Sequence, residues 1–335
     1  MVTIKDVAKL ANVSITTVSR VINNPQAVSE DKRINVEKII EELNYQPNGL
    51  ARGLVKKATK TVGVLIPDIN NLFYPAVVRG IEDVFQEEGF NTFLCNTDQD
   101  IEKEKRYIAA LMEKRVDGLI FMGTRPTDPA ANEHIKSLCK SIPVVLINET
   151  IVGADLYSVL TDEIEGAYKA VSYLIELGHK KIVYIAGDNI YSTYQSKQKG
   201  YESALKDHGY QVLEDYIING SPYPQGGYQA ANKILQWKER PTAIFCGNDQ
   251  IAMGVMKAVH EMNLKIPEDI SVIGFANIPI SEDFMPELTT VDQYPYETGK
   301  LSAEVTLNVM KGNLPVQKKI ILEPSLLIRN SCAGI

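Results

Sequence analysis

Within the stretch VSITTVSRVINN, Val13 to Asn24, four hydroxyl side chains and one arginine share a single short segment. Val18, Val21 and Ile22 recur at i, i+3 and i+4, which gives one apolar stripe and predicts an amphipathic helix. The opposite face carries Thr16, Arg20 and Asn23, with Ile15 and Ser19 beside them. These groups suit recognition of a polyanion with readable edges. An arginine fork can pair with guanine, threonine and serine hydroxyls reach base edges or phosphate, and an isoleucine methyl can touch thymine.

The neighbouring segments are those needed to hold such a helix out. Upstream, TIKDVAKLA places Ile4, Val7, Ala8 and Ala11 on one face of another short helix. Asn12-Val13-Ser14 makes a tight polar turn between the two, with Ser14 placed to cap the second helix. Downstream, SEDKRINVEKIIEELNY begins with the capping residue Ser29, and Val36, Ile39, Ile40 and Leu43 are spaced to close a three-helix core. This is a helix-turn-helix pattern, whose second helix enters the DNA major groove. Charge agrees. The chain carries −7 overall, yet residues 1–60 hold ten Lys+Arg against six Asp+Glu. A basic head on an acidic body fits contact with phosphate at one end only.

Length and composition bound the rest. At 335 residues the chain has room for two or three domains, and 44% hydrophobic residues supply large cores. Neither a leader pattern nor a membrane-length apolar run stands in the sequence, so a cytoplasmic protein without a membrane partner is expected. Cys95, Cys139, Cys246 and Cys332 are scattered and read as free thiols. Neither G-x-G-x-x-G nor a P-loop occurs, and His134, His179, His208 and His260 lack metal-ligand spacing. His179 reads as a helix-end cap, and Asp98 and Asp100 as a helix start. No enzyme, cofactor or metal site is expected.

Beyond residue 60, short apolar runs alternate with helical stretches, the signature of βαβ units. TVGVLI, TFLC, GLIFM and PVVLI read as buried parallel strands of one half, and KIVYIA, TAIFC and ISVIGF as those of another. RGIEDVFQEEGFN (79–91) is echoed by KGYESALKDHGYQ (199–211), with the same offset from the preceding strand start. Two related α/β lobes are implied. Chain crossings are expected near Leu160–Asp162, Val291–Gln293 and Glu323–Leu326. They leave a ligand cleft at the carboxyl ends of the strands.

The whole ordered series resembles the lactose/galactose repressor (LacI/GalR) family of bacterial transcription regulators. The resemblance runs nearly end to end, through TIKDVAKLANVSITTVSRVINN, VSEDKR, YQPNGLARGL and TVGVLIPDINNLFY, then LIELGHKKIVYIAG, PTAIFCGNDQIAMG and IPEDISVIGF followed by LTTVDQ. It implies a headpiece over 1–47, a hinge helix and linker over 48–60, and a periplasmic-binding-protein-like core of two doubly wound parallel-sheet lobes over 61–335. Lobe 1 would span about 61–161 and 293–323, and lobe 2 about 162–292 and 324–332. It also implies a homodimer, sometimes a tetramer, on a palindromic operator, controlled by a sugar-like effector. The family's base contacts fall on Ile15, Thr16 and Arg20. Thr3, Ser14, Thr17, Ser19 and Asn23 join the DNA face, and Asn48, Ala51 and Leu54 belong to a hinge in which Leu54 wedges into the minor groove.

By the same pattern Asn71, Phe73 and Tyr74 line the cleft, with core packing the competing role for the two aromatics. Asn248 and Gln293 match polar ligand contacts, and Asp162 is a further candidate. Other positions depart from the pattern. Asn148 and Glu149 stand where pentose binders often have Asp-Arg. Lys197 replaces an arginine, with a solvated charge as its alternative. Ala276 replaces an aspartate that grips sugar hydroxyls, so a larger or less hydroxylated effector than a simple sugar is expected. A transport-type sugar binder would lack the DNA-binding head. A carbon-catabolite regulator with a phosphorylated carrier protein as corepressor is the alternative inside the family. It ranks second because Glu304 stands where its docking helix would carry arginine.

Overall fold

The computed structural model describes residues 2–45, 59–123, 125, 129–188 and 191–335. The chain divides into two compact units, Met1–Lys60 and Thr61–Ile335. The expected hinge, with Asn48, Ala51 and Leu54, lies outside the described residues.

The first unit is three helices, α1 (Ile4–Leu10), α2 (Ile15–Asn23) and α3 (Glu30–Glu42). Val7 of α1, Val18 and Val21 of α2, and Val36 and Ile39 of α3 are buried together, and Ile40 and Leu43 pack at the edge. The turn works because Asn12 adopts φ +52°, a conformation asparagine tolerates. Ser14 Oγ then accepts from the Thr17 amide at 3.1 Å, and Asn35 Nδ2 ties α3 to the Ala11 carbonyl at 3.1 Å. Thr3 caps α1, its amide and hydroxyl both donating to Asp6.

The second unit is two α/β lobes. One sheet runs β11 (Lys319–Leu322), β5 (Tyr157–Thr161), β4 (Val144–Ile147), β3 (Gly118–Met122), β1 (Thr61–Ile66), β2 (Asn91–Asn96). The other runs β12 (Ser325–Leu327), β10 (Thr289–Asp292), β9 (Ser271–Ala276), β8 (Ala243–Cys246), β6 (Ile182–Ile185), β7 (Ile217–Ile218). All pairings are parallel except β10 with β12, which is antiparallel. The chain passes between the sheets after β5, after β10 and between β11 and β12. Apolar strands such as GLIFM are buried throughout because helices cover both faces. TFLC departs from this expectation. It forms the edge strand β2, where Phe93 and Leu94 are each 43% exposed and only Cys95 is buried.

The internal echo has a packing cause. Gly80 lies on α4 (Phe73–Glu87) and Gly200 on α8 (Ser192–Asp207). A Cβ at Gly80 would sit 2.1 Å from the Tyr296 carbonyl oxygen of α11 (Pro295–Met310), and one at Gly200 2.2 Å from that of Ile164 in α7 (Glu163–Glu176). Each glycine lets two helices cross at backbone contact. Its partner nine residues on, Gly89 or Gly209, ends the helix at φ +71° or +79°.

His179, expected as a helix-end cap, has another role. Its ring is 1% exposed and bridges Thr242 Oγ1 at 2.9 Å and the Ala333 carbonyl at 3.0 Å, tying the C-terminal segment to the start of β8. Among the described residues, no helix is long and apolar enough to cross a membrane.

Candidate functional site

In the first unit, α2 presents the face expected to meet DNA. Ile15 is 45% exposed, Thr16, Arg20 and Asn23 are exposed, and Ser19 is half-buried. The other polar candidates are turned to structural work. Ser14 and Thr17 bond to each other at the helix start, Thr3 is held by Asp6, and Asn23 Nδ2 reaches back to the Ser19 carbonyl at 2.8 Å. The Arg20 guanidinium makes no hydrogen bond or ion pair with a described residue, so its five donors are open to a partner.

In the second unit, a cavity of about 210 Å³ lies between the lobes at the carboxyl ends of the strands. Of the nine positions expected there, eight line it: Asn71, Phe73, Tyr74, Asn148, Lys197, Asn248, Ala276 and Gln293. Asp162 does not. It is exposed, and its carboxylate caps α7 by accepting the Glu165 amide at 3.0 Å. The next residue, Glu163, lines the cleft in its place.

Several lining residues also hold the walls. Asn248 caps α10 (Asp249–Glu261) through the Ile251 amide at 2.7 Å, while its Nδ2 reaches the Pro222 carbonyl and the Tyr194 hydroxyl. Asn71 Oδ1 accepts from the Phe73 amide, and Asn148 Oδ1 from the Thr161 amide. Tyr74 both packs in the core of the first lobe and lines the cavity, meeting Phe73 edge-on at 5.6 Å. Ala276 has φ +118°, a conformation unfavourable for any residue with a Cβ. At about 210 Å³ the cavity is below the usual 300–1,000 Å³ of drug-sized sites.

Lys197 is not a solvated charge. It is 5% exposed, donates to the Gly247 carbonyl at 3.1 Å and lies 3.6 Å from Glu163 Oε1. Its ammonium stands 4.2 Å from the Phe275 ring centroid and 5.3 Å from that of Tyr194. Burial lowers its pKa, opposed by the charge and hydrogen bond of Glu163. Asp249 is buried beside it. Burial raises its pKa, and the Thr290 and Ser281 hydroxyls and the Ile278 amide work against that rise.

Sequence reading missed the residues that bridge the lobes. Tyr223 donates its hydroxyl to Asp68 and Tyr191 donates to Gln99. Ser192 donates to Glu149 at 2.7 Å. Gln250 Oε1 accepts from the Leu72 amide and its Nε2 donates to the Asn70 carbonyl, both at 3.3 Å. The signal was adjacency alone: Asp249 and Gln250 follow Asn248, and Glu163 follows Asp162.

A three-helix head with a helix-turn-helix and a two-lobed α/β core with a cleft are the parts of a DNA-binding regulator. Comparison with known proteins agrees. Residues 3–48 match the family model described as bacterial regulatory proteins, lacI family. Residues 59–323 match periplasmic binding proteins and the sugar binding domain of the LacI family. The chain is 37% identical over 335 residues to the HTH-type transcriptional repressor PurR of Vibrio vulnificus (strain CMCP6), covering 100% of both. It is 40% identical over 311 residues to catabolite control protein A of Priestia megaterium, covering 92% of each. The structure of the lac repressor dimer bound to operator and the anti-inducer ONPF superposes with a TM-score of 0.89 at 28% identity, over 99% of both chains. The chain belongs to the LacI family of sequence-specific DNA-binding transcription regulators.

Proposed function

We propose that this regulator is a homodimeric repressor of a carbohydrate-utilisation operon, released or engaged by a small sugar-like effector in the interlobe cleft. In this reading Ile15, Thr16 and Arg20 meet base edges of a palindromic operator. Thr3, Ser14, Thr17, Ser19 and Asn23 support the phosphate contacts, and Asn48, Ala51 and Leu54 act in the minor groove. One observation carries it: an exposed Arg20 without a partner among the described residues, standing beside Thr16 and Ile15 on a helix whose other face is locked in a three-helix core. Support for a carbohydrate effector comes from the match of residues 59–323 to a sugar-binding domain model.

In vitro selection of duplexes by the purified protein tests this. A two-fold symmetric consensus is expected, and an unsymmetrical or absent consensus contradicts the dimeric operator reading. The reading with a phosphorylated carrier protein gains nothing from α11, where Glu304 is exposed and adds a negative charge.

A further inference from the structure

Glu163 is a buried cleft carboxylate whose two oxygens are bonded unequally. Its side chain is 9% exposed. Oε1 accepts the Thr193 hydroxyl, lies 3.5 Å from Gln293 Nε2 and 3.6 Å from Lys197 Nζ. Oε2 has no partner among the described residues, although both residue and cavity are at hand. A carboxylate has about four acceptor positions, and those of Oε2 are open to a donor that enters the cavity. The Tyr74 hydroxyl, on the other lobe, is in the same condition: 9% exposed, lining the cavity, and without a hydrogen-bond partner among the described residues.

Charge narrows what can donate. Asp68, Glu163, Asp188 and Asp249 line the cavity, and among the described residues Lys197 is the only basic one that does. That lysine already serves Gly247 and Glu163 and lies against two aromatic rings. A phosphate or carboxylate entering here would meet an excess of negative charge and a cation already engaged. A neutral ring bearing hydroxyls would instead donate to Oε2 and stack on the aromatic walls.

We infer that Glu163, through Oε2, is the hydroxyl-accepting residue of the cleft, with the Tyr74 hydroxyl as its counterpart on the other lobe, and that the effector is an uncharged hydroxylated ring rather than a phosphorylated or acidic one. This rests on the reading of the cleft as an effector site. It also explains how the cleft retains a carboxylate acceptor although position 276 is alanine.

Calorimetric titration of the full-length protein with glucose, galactose, ribose and xylose, and with glucose 6-phosphate and ribose 5-phosphate, tests the inference. At least one neutral sugar is expected to bind and both phosphates to fail. E163Q keeps the shape but loses the charge, and should weaken that sugar about tenfold or more. E163Q/K197Q removes the unpaired cation as well, so it folds without a buried lone charge, and its affinity should stay weak. The inference is overturned if a phosphate binds as well as its parent sugar, if E163Q changes affinity less than about twofold, if the double variant recovers wild-type affinity, or if no sugar binds. Operator affinity measured on the same preparations separates the two readings. A phosphate that binds and shifts operator affinity leaves the effector cleft standing and removes only the uncharged ligand.

Discussion

Gln250 grips the backbone of the opposite lobe on both sides of Asn71, its Oε1 receiving the Leu72 amide and its Nε2 reaching the Asn70 carbonyl, both at 3.3 Å. Because the side chain belongs to one lobe and the loop to the other, these bonds exist only when the cleft is closed. Gln250→Leu preserves bulk and removes both, at roughly 1–3 kcal/mol of closing free energy for two ordinary hydrogen bonds. Amide exchange at Leu72 should accelerate while β1 stays protected. Unchanged exchange at Leu72 contradicts the clamp.

The His179 bridge predicts a pH response near neutrality. Burial lowers the ring's pKa from its ordinary 6.5, partly opposed by the bond to the Ala333 carbonyl. That carbonyl can only accept, so Nε2 carries the proton, and the neutral Nδ1 accepts from Thr242. The folded state therefore binds fewer protons than the unfolded chain just below pH 6.5. Stability is complete above 6.5 and falls as pH drops from there through the folded value, with a slope of at most about 1.4 kcal/mol per pH unit. His179→Gln should flatten this part of the urea-midpoint profile. A profile with the wild-type slope places the proton elsewhere.

Ala276 predicts a stabilising substitution. At φ +118° its Cβ is strained, and such residues cost of order 1–3 kcal/mol. Ala276→Gly should raise the melting temperature of the core despite the loss of a buried methyl. A lower melting temperature means that Arg329 and Asn277, which bond at 2.9 Å beside this turn, hold a conformation the methyl also supports.

Ser14 predicts a local loss confined to the head. Its Oγ is the acceptor at the start of α2, and Ser14→Ala should cost the headpiece about 0.5–2 kcal/mol. Melting followed by amide exchange at Val18 and Val21 reads it, and equal loss across the core strands argues against a local cap.

Periodicity was enough to reveal the head and the two sheets, because buried stripes and buried strands are written in residue type. Val18 and Val21 are 0% and 5% exposed, and the glycine echo marks real helix crossings. Edge position is not written that way: TFLC has a core composition, yet β2 has a neighbour on one side only. The cleft was legible by position and poorly by role. Asp162 and Glu163 are adjacent carboxylates at a crossover, and only the helix start decides that the first caps α7 and the second turns inward. Lys197 looks like any surface lysine until Phe275 and Glu163, distant in sequence, close over it.

The account stands most directly on Arg20. The measurement is a fluorescence-anisotropy titration of wild type and Arg20→Ala on the selected operator, on single-base variants of it and on random duplex, across a range of salt. Loss of about 1–3 kcal/mol on the operator, relaxed preference at one base pair in each half-site, and little change on random DNA are predicted. Equal losses on operator and random DNA, with a reduced salt slope, would show that Arg20 contacts phosphate and that α2 does not read sequence through it.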